Sequence, residues 1–159
     1  MLFRSLVFKP TDADLYGQLG IIYFRSRNYE GSIPALKCSV RGCSGQESCN
    51  GRGDCGPGES PVSVSGLSLS PNSIVYYYTY GSVLAALSRP RANSCPDALA
   101  VFAEVKAEVN DPGKVNLYSD GRQTILSIVQ AGESICASLA EGNVPASTSA
   151  PDATYTPSP

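Results

Sequence analysis

A helical spacing of large residues around one glycine, met twice in the chain, limits what it can fold into more than any other feature. Tyr16, Leu19, Gly20 and Tyr23 stand at i, i+3, i+4 and i+7, and Tyr77, Tyr80, Gly81 and Leu84 repeat the spacing. Such positions share one face of a helix. A second periodic stretch follows each: Tyr29, Ser32, Leu36 and Ser39 after the first, Ala98, Phe102 and Val105 after the second. Together the two stretches describe an antiparallel helix pair. Gly20 and Ser32 let the backbones approach while Leu19, Tyr23 and Leu36 fill the space around the crossing, and Gly81 and Ala98 do the same in the second pair. One pair alone leaves its apolar face uncovered, so the pairs are expected to stack.

The first-helix spacing resembles the W-x2-L-G-x2-Y pattern of the tetratricopeptide repeat (TPR), and the second-helix positions continue the match. With its run Tyr76-Tyr77-Tyr78-Thr79-Tyr80-Gly81, the chain is similar to TPR-like proteins of filamentous fungi. The resemblance covers roughly residues 12 to 140, but Gly20 and Gly81 are separated by almost twice the repeat period of about 34 residues. That excess lies in a Cys- and Gly-rich insertion at 41–71, and a second departure is a short insertion at 88–94 inside the second repeat. The resemblance implies an all-α fold of two helix pairs and a capping helix. It also implies a protein-binding module that holds an extended peptide or a partner's helix in the shallow groove of the odd-numbered helices. Groove positions fall on Asp14, Ile21, Phe24 and Arg25 in the first repeat and on Tyr78 and Ser82 in the second. Successive helices of such a stack run antiparallel. Cys95, opening the fourth helix, is therefore expected beside Cys136, near the end of the fifth, as a disulfide or a close thiol pair.

Five helices are expected. The first starts at Thr11 or Asp12, where a capping side chain precedes an acidic turn, and ends near Ser26. Arg27 and Asn28 make the turn to a helix over 29–40, ended by Gly42. From 43 to 71 Gly, Ser, Pro and Asn dominate and a loop is expected, with Val62, Val64, Leu67 and Leu69 as an extended edge. Helices follow over about 72–87, 96–109 and 120–140. Asn110, Asp111, Pro112 and Gly113 stop the fourth, and Ile125, Ile128, Val129, Gly132, Ile135, Cys136 and Leu139 stripe the fifth. Residues 141–159, rich in Pro, Ser and Thr, are expected to form a disordered tail.

A length of 159 residues and 42% hydrophobic content suit one domain, spanning 11–140 behind an N-terminal segment at 1–10. A net charge of −2 and the lack of a Lys/Arg cluster offer no footprint for nucleic acid or an anionic membrane, and no span is present. Lys9 and Pro10 interrupt the apolar start before a signal-peptide core can form, so a cytoplasmic location is expected, or secretion if the N-terminus is incomplete. The sequence contains no histidine. That removes the commonest general base and metal ligand, and with them the usual partner of a Ser or Cys nucleophile, so neither an enzyme nor a cofactor is expected.

Cys38, Cys43, Cys49 and Cys55 are the sharpest chemical signal. As zinc ligands they lack the close-set pairs in which thiolates usually come. As disulfides they would close a long loop that has little core of its own, in an oxidising compartment. As free thiols they would pack in a cytosolic loop, and the three readings stay open. A small disulfide-stapled secreted protein and a Cys-rich metal-binding module are thus the rival functions. Arg52, Gly53 and Asp54 spell an adhesion tripeptide, but so short a motif recurs by chance. Gly51, Gly53, Gly56 and Gly58 lack the preceding strand and following Gly-Lys of a phosphate-binding loop.

Overall fold

A computed structural model describes residues 6, 9–52, 55–57 and 61–142. The expected disordered tail beyond 142, most of the segment 1–10, and Gly53, Asp54 and Gly58 lie outside the described residues. Among the described residues there are six α-helices and no strand. They are α1 (Ala13–Arg25), α2 (Tyr29–Arg41), α3 (Gly45–Gly51), α4 (Ile74–Leu87), α5 (Cys95–Asn110) and α6 (Arg122–Ala140), with a 3-10 turn at Val115–Tyr118. The chain packs as helix pairs: α1 on α2, α2 on α4, α4 on α5, and α6 against both α4 and α5.

Local chemistry sets the boundaries. The Asp12 carboxylate accepts hydrogen bonds from the amides of Asp14 and Leu15 and caps α1. The turn into α2 needs one left-handed residue, which is Arg27 at φ 61°, and Asn28 Oδ1 then accepts from Gly31 N at 3.0 Å. Gly42 ends α2 at φ 76°, where a Cβ would lie 2.6 Å from the Val64 carbonyl oxygen. This close approach lets Cys43 and Val64 exchange two backbone hydrogen bonds of 2.9 Å.

The expectation of uninterrupted loop over 43–71 is corrected by α3. Ser44 and Glu47 form a reciprocal capping box, the side chain of each bonded to the backbone N–H of the other. Two orphan donors are thereby satisfied at once, which is enough to start a short helix in a Gly-rich stretch once it can lean on α2.

At each glycine the nearest neighbour is the large residue of the second helix, one turn beyond the small residue assigned to the crossing. Atoms facing a Cβ built on Gly20 belong to Leu36, the nearest at 2.5 Å, rather than to Ser32. Atoms facing Gly81 belong to the Phe102 ring, at 2.6 Å, rather than to Ala98. Both shifts are four residues toward the C-terminus. Leu36 comes close with its backbone as well as its side chain, its amide nitrogen lying 3.2 Å from the Cβ built on Gly20. Gly132 on α6 meets the same ring at its tip, with 2.2 Å between its built Cβ and Phe102 Cζ and 2.5 Å to Cε2, where Gly81 faces Cε1 and Cδ1. Phe102, fully buried, is therefore clamped between glycines of two helices.

Two apolar clusters result. The larger joins Leu36 and Val40 to α4, α5 and α6 through Tyr77, Tyr80, Val101, Phe102, Val105 and Val129. The smaller holds Leu6, Ala13, Tyr16, Leu19, Ala35, Cys38 and Val64.

Candidate functional site

The residues expected to line a groove occupy α1 and α4, and these two helices start level. Tyr76 of α4 lays its ring where Gly17 of α1 has no side chain, 2.6 Å from a built Cβ, and its hydroxyl donates to Asp14 Oδ1 at 2.8 Å. Burial, and then the bond to Asp14, hold the Tyr76 hydroxyl well above the usual phenol range. Asp14 also accepts from Gln18 Nε2 at 2.7 Å. Its carboxylate thus fastens α1 to α4.

Farther along, the groove residues fall into two kinds. Ile21 and Tyr78 are half-buried against the larger cluster, and Ser82 returns its hydroxyl to the Tyr78 carbonyl at 2.7 Å. Burial raises the Tyr78 hydroxyl above its ordinary value. Phe24 and Arg25 are exposed at the end of α1. Phe24 meets Tyr29 across the turn, ring centroids 5.5 Å apart, and with Tyr29 at 41% exposure the two rings form an apolar knob, while Ile22, 44% exposed, lies on another face of α1. The sequence reading missed Ile22 and Tyr29. The aromatics flanking a two-residue turn at 27–28 were the available signal.

The six cysteines are all bonded: Cys38 to Cys43, Cys49 to Cys55, and Cys95 to Cys136. Antiparallel packing of α5 and α6 brings Cys95 and Cys136 to a Cα separation of 5.5 Å. The first four, weighed above as zinc ligands, are spent in disulfides, whose sulfurs are not the thiolate donors such a site requires. The adhesion reading also changes. Arg52 is only 6% exposed, and its Nη2 donates to Cys55 Sγ at 2.7 Å with Cys49 Sγ at 3.7 Å. A guanidinium buried on a disulfide is not displayed to a receptor.

A cleft of about 170 Å³ lies where α2, α4 and α5 meet, lined by Lys37, Arg41, Tyr80, Asp97, Ala100 and Val101. It is smaller than ordinary small-molecule sites of roughly 300 Å³ and more. Its cations are engaged: Arg41 donates to both oxygens of Glu104 at 2.9 and 2.6 Å, and Lys37 pairs with Glu47. No helix among the described residues is long and apolar enough to cross a membrane. No family model, curated protein or solved structure matches the chain.

Proposed function

We propose that the chain is a TPR-like interaction module that binds an extended peptide or helix of a partner protein across α1 and α4. The observation that carries this reading is the repeated slot: Gly20 receives Leu36 in the first pair, and Gly81 and Gly132 receive Phe102 in the second. Residues at the same repeat positions thus do the same packing job, as the resemblance implies. The binding residues are Phe24, Arg25, Tyr78 and Ser82, with Ile21 beneath them and Asp14 holding the two helices in line. Phe24 supplies the apolar anchor and Arg25 a charge for an acidic partner residue.

We further propose that the module works in an oxidising compartment, the secreted alternative to the cytoplasmic location expected from the N-terminal residues. Three disulfides that use every cysteine support it, since reducing compartments rarely keep such bonds. The same bonds favour a stapled scaffold over the metal-binding rival.

The test is selection of a displayed random-peptide library on the oxidised protein, followed by affinity measurement for the selected peptide. Phe24→Ala, Arg25→Glu and Tyr78→Ala should each weaken it about tenfold or more, roughly 1.4 kcal/mol, with circular dichroism unchanged. Leu117→Ser, exposed on the 3-10 turn, should have no effect. Equal loss in all four variants, or loss only where helicity collapses, sinks the reading.

A further inference from the structure

The three disulfides differ in what surrounds their sulfurs. Cys95 and Cys136 are 5% and 3% exposed, so a reagent has no path to either. Cys43 and Cys55 are each half-buried and reachable, while their partners Cys38 and Cys49 are buried. Accessibility therefore leaves two bonds open to attack, and electrostatics separates them. Cys38 Sγ has the Glu47 carbonyl oxygen as a polar neighbour at 3.8 Å, which gives no help to an anion. Cys49 and Cys55 share the Arg52 guanidinium, a permanent cation held away from water.

We propose that Cys49–Cys55 is a thiol–disulfide exchange site whose substrate is an external dithiol, with Arg52 holding the sulfur that leaves. One thiolate of the dithiol attacks the accessible Cys55 Sγ. A bond forms between the reagent sulfur and Cys55, the Cys49–Cys55 bond breaks, and its electron pair leaves on Cys49 Sγ, beside Arg52 Nη2. The reagent's second thiolate then attacks the reagent sulfur of the mixed disulfide and expels Cys55 Sγ, which lies nearer still to Nη2. The dithiol ends as a cyclic disulfide and both cysteines end reduced, with the two thiol protons passing from reagent to protein. A leaving thiolate paired with a cation leaves faster, and a buried cation is worth more than an exposed one.

The fold confines the consequence. Cys38–Cys43 lies before α3 and Cys49–Cys55 at its end, so opening the second frees the far end of α3 while the first still pins the near end. The α5–α6 contact, tied by Cys95–Cys136, stays as it is. Exchange here thus releases Arg52 from the two sulfurs without unfolding the module.

The experiment treats the oxidised protein with limiting dithiothreitol, traps thiols with N-ethylmaleimide at intervals and maps the labelled peptides. Cys49 and Cys55 should be labelled first, with helicity kept. Arg52→Gln should slow their release about three- to tenfold while leaving the other two bonds unchanged, and Arg52→Lys should restore part of the rate. Earlier opening of Cys38–Cys43 or Cys95–Cys136, or an Arg52→Gln rate equal to the parent's, overturns the proposal. Should Arg52→Gln fail to fold, the parent protein decides alone. After opening of this bond, its two thiols should alkylate with a midpoint below the ordinary thiol value of about 8.5, and a midpoint at or above it refutes the role given to Arg52.

Discussion

The segment around α3 and the α4–α5–α6 stack are held by opposite means. The stack is apolar: Phe102 fills the glycine slots of two helices, and Val101, Val105, Val109 and Val129 are fully buried about it. Its one covalent tie, Cys95–Cys136, joins residues 41 apart. The α3 segment buries few apolar side chains and is closed by two disulfides of separation 5 and 6. Polar fixtures do the rest, among them the Ser44–Glu47 capping box and Ser48 Oγ donating to the Val62 carbonyl at 2.7 Å. In the chain-entropy account a loop near 40 residues stabilises by about 4 kcal/mol and one near 6 by about 2. Where side chains can fill a slot, one long cross-link suffices. A Gly-rich segment with little to bury needs several short ones.

The largest expected effect tests the slot. Phe102→Ala should destabilise the oxidised protein by about 3–5 kcal/mol in chemical denaturation, through lost transfer energy and the cavity left between Gly81 and Gly132. Gly81→Leu, which drives a side chain into the same ring, should cost about 1–3 kcal/mol. A melt unmoved by either change removes the contrast.

Next come the cross-links. Cys95→Ser with Cys136→Ser should lower global stability by about 4 kcal/mol, against about 2 kcal/mol for Cys38→Ser with Cys43→Ser. Hydrogen exchange sharpens the difference, because the second pair should lose protection in α3 before the stack does. Loss spread evenly over both regions in either variant would show that they unfold as one unit.

Tyr76→Phe probes the junction of α1 and α4 on a smaller scale. Removing a phenol that donates to Asp14 should cost about 1 kcal/mol and leave the helices in place, read by denaturation and circular dichroism.

The smallest effect is acid loosening of α3. The Lys37 ammonium, followed by the Ser44 backbone and hydroxyl, holds the Glu47 carboxyl down to about 2 from an ordinary 4.5. A depressed folded value means that the contribution is whole above pH 4.5 and fades as pH falls toward 2. Glu47 is solvent-exposed, so the readout is local. Exchange of the α3 amides should quicken over that window, and Glu47→Gln should abolish the pH dependence. A pH-independent rate in the parent would detach the capping box from the stability of α3.

How far each feature was legible follows from the range of its cause. Helices α1, α2, α4, α5 and α6 were readable because a stripe at helical spacing is a property of neighbours in the chain. The end of α2 at Gly42 and the stop at Asn110–Gly113 were readable for the same reason. Helix α3 carried its own signal, Ser44-x-x-Glu47, but glycines outweighed it, since a seven-residue helix is marginal until it has α2 to pack on. That Leu36 and Phe102 fill the slots at Gly20 and Gly81 was only partly legible, because spacing fixes which face a residue occupies and not which side chain comes nearest across the crossing.

By itself the sequence determined the helical class, the order of the five longer helices and, through their antiparallel run, the meeting of Cys95 with Cys136. Only the tertiary structure decided that one phenyl ring serves two glycine slots, that Asp14 is a fastener between helices, and that Arg52 lies buried on the Cys49–Cys55 bond. Periodicity is a local property carried by each stretch alone. A contact between elements depends on the crossing geometry and reach of side chains far apart in the chain, which no single stretch encodes.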